Sequence, residues 1–145
     1  MEKVDDEAKC LSQLRQSVAQ LGGDGQSPLL AQTAKWIVRA MTGPWRSFHT
    51  LQHIFDVGQD GSPVEMLAAL FHDVVYVQVD LGIPVNLCRI VAPYVQEVEQ
   101  TLVIDPRVDP QDELFQILLT LFGFAPGHKL SPLAGQNEFL SAVVA

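Results

Sequence analysis

The sequence predicts an all-α fold, and three observations support this prediction. Apolar residues recur at spacings of three and four in several segments, and period-two alternation is almost absent. Pro, Gly and Ser stand where the helices should begin and end. The 145 residues, 48% of them hydrophobic, suffice for one domain with a buried core. We therefore expect a single helical domain over residues 1–145.

The N-terminal half contains four predicted helices, over residues 5–21, 27–41, 48–57 and 63–76. A Gly-rich turn ends the first, and Ser27 is a suitable N-cap for the second. Ser62 can cap the fourth helix, which is apolar nearly all round from Val64 to Val75. A helix of that kind belongs in the centre of a bundle.

The C-terminal half is less regular. We expect a loop over 78–84, a helix over 85–103 that Pro93 kinks or splits, a helix over 111–122, a loop over 123–135 and a last helix from Gln136. Thr101 to Ile104 is a β-branched run, but it is too brief to change the all-α prediction.

Composition excludes several classes of function. Nine Lys and Arg stand against seventeen Asp and Glu, which gives a formal net charge of -8 and no basic run, so neither duplex nucleic acid nor an anionic membrane surface is an expected partner. The apolar stretches are too short to span a membrane, and the charged N-terminus is not a signal peptide. Cys10 and Cys88 are too few for a disulfide framework or a zinc knuckle. We expect a soluble, cytoplasmic protein.

A cluster of histidines contains the candidate functional residues of the chain. His49, His53 and His72 fall within 24 positions, and Asp73 follows the last of them. His49 and His53 are four residues apart, so we expect them to share one helical face, roughly 6 Å apart. His53 and His72 each lie about 12 Å from the turn between the third and fourth helices. An antiparallel hairpin would therefore bring them to the same height.

Asp73 strengthens this interpretation. An ionised carboxylate in an apolar helix costs several kcal/mol unless it is paired. No Lys or Arg lies within fifteen residues of Asp73. A divalent cation held by His53, His72 and Asp73 would offset the cost. The alternative is that each His is an ordinary hydrogen-bonded residue, which is how we interpret His128 in its Gly/Pro loop.

At these residues the sequence resembles a known family. The segments Phe48–Ile54 and Phe71–Tyr76 are similar to the paired signatures of the HD-domain superfamily of metal-dependent phosphohydrolases, in particular its small bacterial members. The resemblance covers about residues 36 to 77. It implies an HD-domain-like helical bundle in which His53, His72 and Asp73 are the metal ligands. The divalent metal could be Mn, Mg, Fe, Ni or Zn.

The resemblance also implies roles for three further residues. His49 would be a general acid near the leaving oxygen. Arg46 would help bind phosphate, with a surface salt bridge as the alternative. Asn137–Ala142 is similar to an Asn-Glu-x-x-Ser-Ala segment of the small members. Glu138 is therefore a catalytic candidate, with a role at a helix N-terminus as the alternative.

The chain departs from the family pattern in two respects. The Asn-Glu segment is displaced by roughly sixty residues, so residues 78–135 are interpreted as an inserted helical and loop region. The family's second Asp, from a later helix, has no counterpart here. We therefore expect that C-terminal helices of the parent fold are missing and that the metal binds weakly or not at all. We also expect an exposed apolar edge to drive homo-oligomerisation.

The sequence thus predicts hydrolysis of a small phosphate ester or nucleotide, with His49 donating a proton to the leaving group. The alternative is a non-catalytic helical interaction module that retains a degenerate HD site. A di-iron redox site is a weaker third interpretation, because the chain has four His and His128 is remote from the others.

Overall fold

The computed structural model describes the backbone of residues 2–145 and the side chains from residue 5 onward. The chain divides into two compact units, which meet in sequence between Val74 and Val75. The elements are α1 (Glu2–Gln20), α2 (Pro28–Met41), α3 (Leu51–Gly58), α4 (Pro63–Phe71), α5 (Val77–Asp80), α6 (Val85–Val91), β1 (Val95–Val98), β2 (Thr101–Ile104), α7 (Glu113–Phe122) and α8 (Gln136–Val144). The described chain is mostly helical, as expected, with one two-stranded sheet.

The first unit is built from helices α1 to α4. Helix α1 packs against α2 and α4, and α3 packs against α4. Gly22 ends α1 with a positive φ of 86°, and the Gly23 N–H donates to the carbonyl of Val18 at 2.9 Å, which is a Schellman arrangement. The core of the unit is apolar and includes Cys10, Leu14, Ile37, Met41, Ile54 and Leu70.

The turn between α3 and α4 brings these two helices close together. Ser62 accepts a hydrogen bond from the Glu65 N–H, and the Glu65 carboxylate accepts one from the Ser62 N–H, which together form a capping box. At the end of α3, a Cβ on Gly58 would lie 2.7 Å from Met66 Sδ and 3.1 Å from Ala69 Cβ. The absence of a side chain at Gly58 therefore permits the close approach of α3 to α4.

Both helices are shorter than the sequence predicts. Helix α3 begins at Leu51 rather than Phe48, because Thr50 caps it by accepting from the His53 N–H. Helix α4 ends at Phe71 rather than Tyr76. Val74 and Val75, which follow the turn at His72 and Asp73, are β-branched and disfavour continuation of a helix.

The second unit consists of α5 to α8 and the β1–β2 hairpin. Helices α6 and α7 both contact α8. Phe139 of α8 is fully buried, and its ring lies 5.2 to 6.1 Å from those of Phe115, Phe122 and Phe124. This aromatic group forms the centre of the unit.

The predicted helix over 85–103 is wrong beyond Val91. Pro93 ends the helical stretch, and β1 then pairs with β2 in an antiparallel hairpin, with Val98 opposite Thr101. The connecting residues Glu99 and Gln100 both have positive φ, of 49° and 62°. That turn lacks the Asn-Gly signature of such hairpins, which explains why the sequence did not reveal it.

Segment Asn137–Ala142, which carries the resemblance to the small HD members, has a structural role in this unit. The Ser141 hydroxyl accepts a hydrogen bond from the Val75 N–H at 3.1 Å and donates one to the Val75 carbonyl at 3.3 Å. Asn137 Oδ1 accepts from the Val77 N–H at 3.0 Å. These two side chains of α8 therefore hold the backbone that begins the second unit.

Two further sequence predictions concern the domain organisation and the loop that follows the first unit. A single HD-like domain with an insertion over 78–135 stays a prediction. The expected loop over 78–84 is partly helical, because α5 covers Val77–Asp80.

Within residues 2–145, the helices lack the combination of length and apolar character that a membrane crossing needs.

Candidate metal centre

Three imidazole rings surround one carboxylate oxygen in the first unit. Asp73 Oδ2 lies 2.7 Å from His49 Nδ1, 3.1 Å from His72 Nε2 and 3.5 Å from His53 Nε2. The ring centroids of His53 and His72 are 5.4 Å apart, and those of His49 and His53 are 5.8 Å apart. The predicted meeting of His53 with His72 across the helix pair is therefore found.

Two short segments of backbone, one at the start of α3 and one at the end of α4, position these side chains. His53 is in the first turn of α3, while His49 precedes the Thr50 cap and so lies outside the helix. The expectation that His49 and His53 share a helical face is wrong, although their rings are still neighbours. His72 is the C-cap residue of α4, and Asp73 follows it in the turn.

The hydrogen bonding of His72 fixes its tautomer. Its Nδ1 lies 2.7 Å from the carbonyl oxygen of Ala69, and because a carbonyl oxygen can only accept, Nδ1 carries the hydrogen. In the neutral ring, Nε2 then directs a lone pair at Asp73 Oδ2. Two acceptors at 3.1 Å need a proton or a cation between them. Metal-binding histidines often donate their second ring N–H to a backbone carbonyl in this way.

Asp73 is ionised over a wide pH range. Burial favours its neutral form, but hydrogen bonds from His72 and His49 outweigh that effect and lower the pKa of Asp73 to about 2. The hydrogen bond between Asp73 and His72 also raises the pKa of His72. Burial lowers that pKa, but its effect is the smaller of the two. The Asp73 carboxylate is therefore available in its anionic form as a ligand for a cation.

The donor set is suitable for a metal ion. One ligand atom each from His49, His53 and Asp73 lie within 4.8 Å of one another, and all three residues are partly exposed. This group shares His53 and Asp73 with the ligand set predicted from the resemblance, but has His49 in place of His72. Imidazole nitrogens with one carboxylate suit Zn, Fe, Ni or Mn better than Mg, which prefers oxygen ligands.

Arg46 is buried directly beside the cluster, with 8% of its surface exposed. Its Nη1 donates to the backbone carbonyl of Asp73 at 2.7 Å and approaches the carbonyl of His49 at 3.4 Å. Met41 Sδ is 3.1 Å from the same nitrogen. The surface salt bridge considered for Arg46 does not match this buried position, and its role in phosphate binding stays a prediction.

The other two candidates lie in the second unit. Glu138 is in the first turn of α8, where a carboxylate is favourable to the helix dipole, and its catalytic role stays a prediction. His128 stacks on Phe124, with ring centroids 4.4 Å apart, and its backbone carbonyl accepts from the Ile104 N–H at 2.9 Å. This fits the structural interpretation of His128.

Sequence reasoning missed a cavity beside His72. It has a volume of about 500 Å³ and is bounded by the α3–α4 turn and by α4, including Gln59, Asp60, Gly61 and Glu65. The sequence indicated only a turn here, because a cavity depends on how two helices pack. Trp45 and Phe48, which lie close to Arg46 in sequence, are 66% and 85% exposed.

Comparison of the chain with family models, curated proteins and solved structures finds no match. What can be said of the site therefore depends on its own geometry.

Proposed function

We propose that the protein is a metal-dependent phosphohydrolase that acts on a small phosphate ester or nucleotide. One observation carries the proposal, namely the convergence of three imidazole nitrogens on Asp73 Oδ2. The similarity of the surrounding segments to the HD-domain superfamily supports the same reaction class. A cavity lies beside His72, one of the residues of the cluster, and offers a place for a substrate.

We assign His53, His72 and Asp73 as the residues that hold the metal. Two ligand atoms with bonds of about 2.1 Å to one ion lie roughly 3.0–3.4 Å apart. The separations of 3.1 and 3.5 Å from Asp73 Oδ2 to His72 and His53 are close to that range. When bound there, a divalent cation supplies Lewis-acid activation of the phosphoryl group and of the attacking water.

His49 has a different role in this assignment. Its Nδ1 is 2.7 Å from Asp73 Oδ2, which is a hydrogen-bond distance. Because the ionised carboxylate only accepts, Nδ1 donates, and Nε2 is then the nitrogen at which the ring gains and loses a proton. Asp73 thereby orients the ring. His49 can therefore give a proton to the leaving oxygen of the substrate.

The cavity favours a small substrate of low charge. About 500 Å³ is enough for a nucleoside monophosphate or a compact phosphate ester. Asp60 and Glu65 line it with carboxylates, which would repel additional phosphate groups. A polyphosphate is therefore a poorer candidate than a monoester or a simple diester.

The proposal is tested by metal content and turnover together. Purified protein is incubated with Mn²⁺ or Zn²⁺ and desalted, its metal is measured by elemental analysis, and hydrolysis of bis-p-nitrophenyl phosphate is followed. We expect H53A and D73N to lose both metal and activity. H128A is the matched control, because it removes a histidine of the second unit.

Each outcome has a definite meaning. Metal binding that depends on His53, together with turnover, supports the phosphohydrolase. Metal binding without turnover of monoesters or diesters supports the interaction module with a degenerate site. Activity that H53A and D73N retain overturns the assignment of the centre.

A further inference from the structure

Arg46 links three parts of the first unit around the cluster. Its Nη1 contacts Met41 at the end of α2, the backbone of His49 before α3 and the backbone of Asp73 after α4. The shortest of these contacts, 2.7 Å to the Asp73 carbonyl, joins residues that are 27 positions apart in sequence. Arg46 as a whole is 8% exposed, and its charged guanidinium would be costly to bury without such partners.

Both carbonyls that Arg46 binds belong to residues of the cluster. The Asp73 carbonyl lies just past the end of α4, where backbone carbonyls lack partners within the helix. Its hydrogen bond to Arg46 fixes the backbone from which the Asp73 carboxylate projects. The contact with the His49 carbonyl fixes the loop that carries the His49 ring.

We infer that Arg46 is a positioning residue, which holds the backbone of the metal ligand Asp73, and that of His49 beside it, and thereby shapes the metal centre. The inference rests on the proposed function, since it assumes that the cluster holds a metal. It differs from a role in phosphate binding, because in it the guanidinium acts on the protein backbone rather than on a substrate. Lys cannot replace it well, because the ammonium nitrogen lies on a shorter side chain than Nη1 of Arg46.

The test uses Co²⁺, whose visible absorption reports the geometry of its ligands without any substrate. We compare wild type with R46M and R46K, and measure Co²⁺ affinity and spectrum. Outer-shell changes of this kind typically lower metal affinity about 10- to 100-fold. We expect a loss in that range for R46M, an altered spectrum, and incomplete recovery in R46K.

Two controls separate positioning from general effects. I37A removes buried volume from α2 of the same unit, and shows how much a loss of stability alone changes the Co²⁺ spectrum. R39M removes an exposed Arg of α2, and controls for the change in net charge. We expect both to keep the wild-type spectrum and affinity. Urea unfolding of each metal-free variant establishes that it is folded.

The outcomes are distinguishable from those of the proposed function. If wild type does not bind Co²⁺, the assignment of the metal centre is refuted, and so is the inferred role of Arg46. If wild type binds Co²⁺ and R46M or R46K binds it with unchanged affinity and spectrum, the positioning role is overturned while the centre stands. A raised KM for phosphate ester in R46M, with metal binding unchanged, assigns Arg46 to the substrate instead.

Discussion

His49 Nδ1 lies 2.7 Å from Asp73 Oδ2, closer than either of the other two histidines of the cluster. Two ligand atoms of the same ion usually lie about 3.0 Å apart or more, so this pair has the geometry of a hydrogen bond rather than of two metal ligands. The relationship distinguishes His49 from His53 and His72, and it leads to a prediction about its role.

We predict that H49A keeps its metal but loses turnover. Removal of a general acid typically lowers the rate by about 10²- to 10⁴-fold. Because His49 is not a ligand in our assignment, the metal content after desalting should stay close to that of wild type. The measurement is kcat for an alkyl phosphate ester, whose leaving oxygen needs protonation, together with elemental analysis.

The comparison that decides this point is H49A against H53A. If H49A loses its metal as completely as H53A, then His49 is the third ligand, in agreement with the group formed by His49, His53 and Asp73. The general acid would then have to be another residue. In our assignment, hydrolysis of bis-p-nitrophenyl phosphate, whose good leaving group needs little protonation, should slow much less in H49A than hydrolysis of an alkyl ester.

The capping box at the start of α4 should contribute measurably to stability. Ser62 Oγ accepts from the Glu65 N–H at 3.3 Å, and Glu65 Oε2 accepts from the Ser62 N–H at 2.8 Å. Replacement of an N-cap Ser by Ala typically costs about 1 kcal/mol. We expect that loss in the free energy of unfolding of S62A, measured in urea. S12A, at an exposed site of α1, should change stability little, and an equal loss there would contradict the prediction.

The histidine cluster could be predicted from sequence because its members lie on both sides of one short turn. Equal distances of His53 and His72 from that turn are sufficient to bring them together once α3 and α4 pair. The helix ends were less predictable, since they depend on Thr50 as a cap and on the β-branched residues after Asp73. The fold class was also predictable, because the spacing of apolar residues that indicates a helix is visible within one short segment of sequence.

The contacts that complete the site are not local, and so the sequence could not reveal them. The position of Arg46 before the motif was visible, but its bond to the Asp73 carbonyl joins parts of the chain that only the fold brings together. The cavity beside His72 has the same origin. The β1–β2 hairpin was missed for a different reason, because its turn residues are unusual for their backbone conformation.

Substitution of Ser141 should lower stability more than substitution of most other polar residues of the second unit. It is buried, and its hydroxyl satisfies both the N–H and the carbonyl of Val75, which is itself fully buried. S141A would leave these backbone groups without that partner, at a cost of about 1–3 kcal/mol. Urea unfolding measures the loss. S131A, whose hydroxyl accepts from the exposed Leu133 N–H, is the control, and a loss in S141A below about 0.5 kcal/mol would refute the argument.

Stability should depend on pH through Asp105. Hydrogen bonds from the Arg107 side chain and backbone lower the pKa of Asp105 from 3.8 to about 2. A lowered pKa in the folded state stabilises the protein above the unfolded value, and that contribution is lost as the pH falls from about 4 to about 2.

D105N should therefore be less stable than wild type at pH 6, and the difference should shrink as the pH approaches 2. The measurement is urea unfolding of both proteins at several pH values in this window. E97Q, on an exposed residue of β1, controls for the removal of a negative charge. A stability difference between wild type and D105N that is independent of pH would show that Asp105 does not act through its charge.

The hairpin turn at Glu99 and Gln100 offers a way to stabilise the protein. Both residues have positive φ, a conformation that costs roughly 1–2 kcal/mol for most L-residues but that Asn and Gly adopt readily. We predict that the double variant E99N/Q100G gains about 1 kcal/mol in the free energy of unfolding, measured in urea. E99A/Q100A is the matched control, since it removes the same side chains but keeps the unfavourable backbone. Equal stability of the two variants would mean that the turn does not hold the strain that its angles indicate.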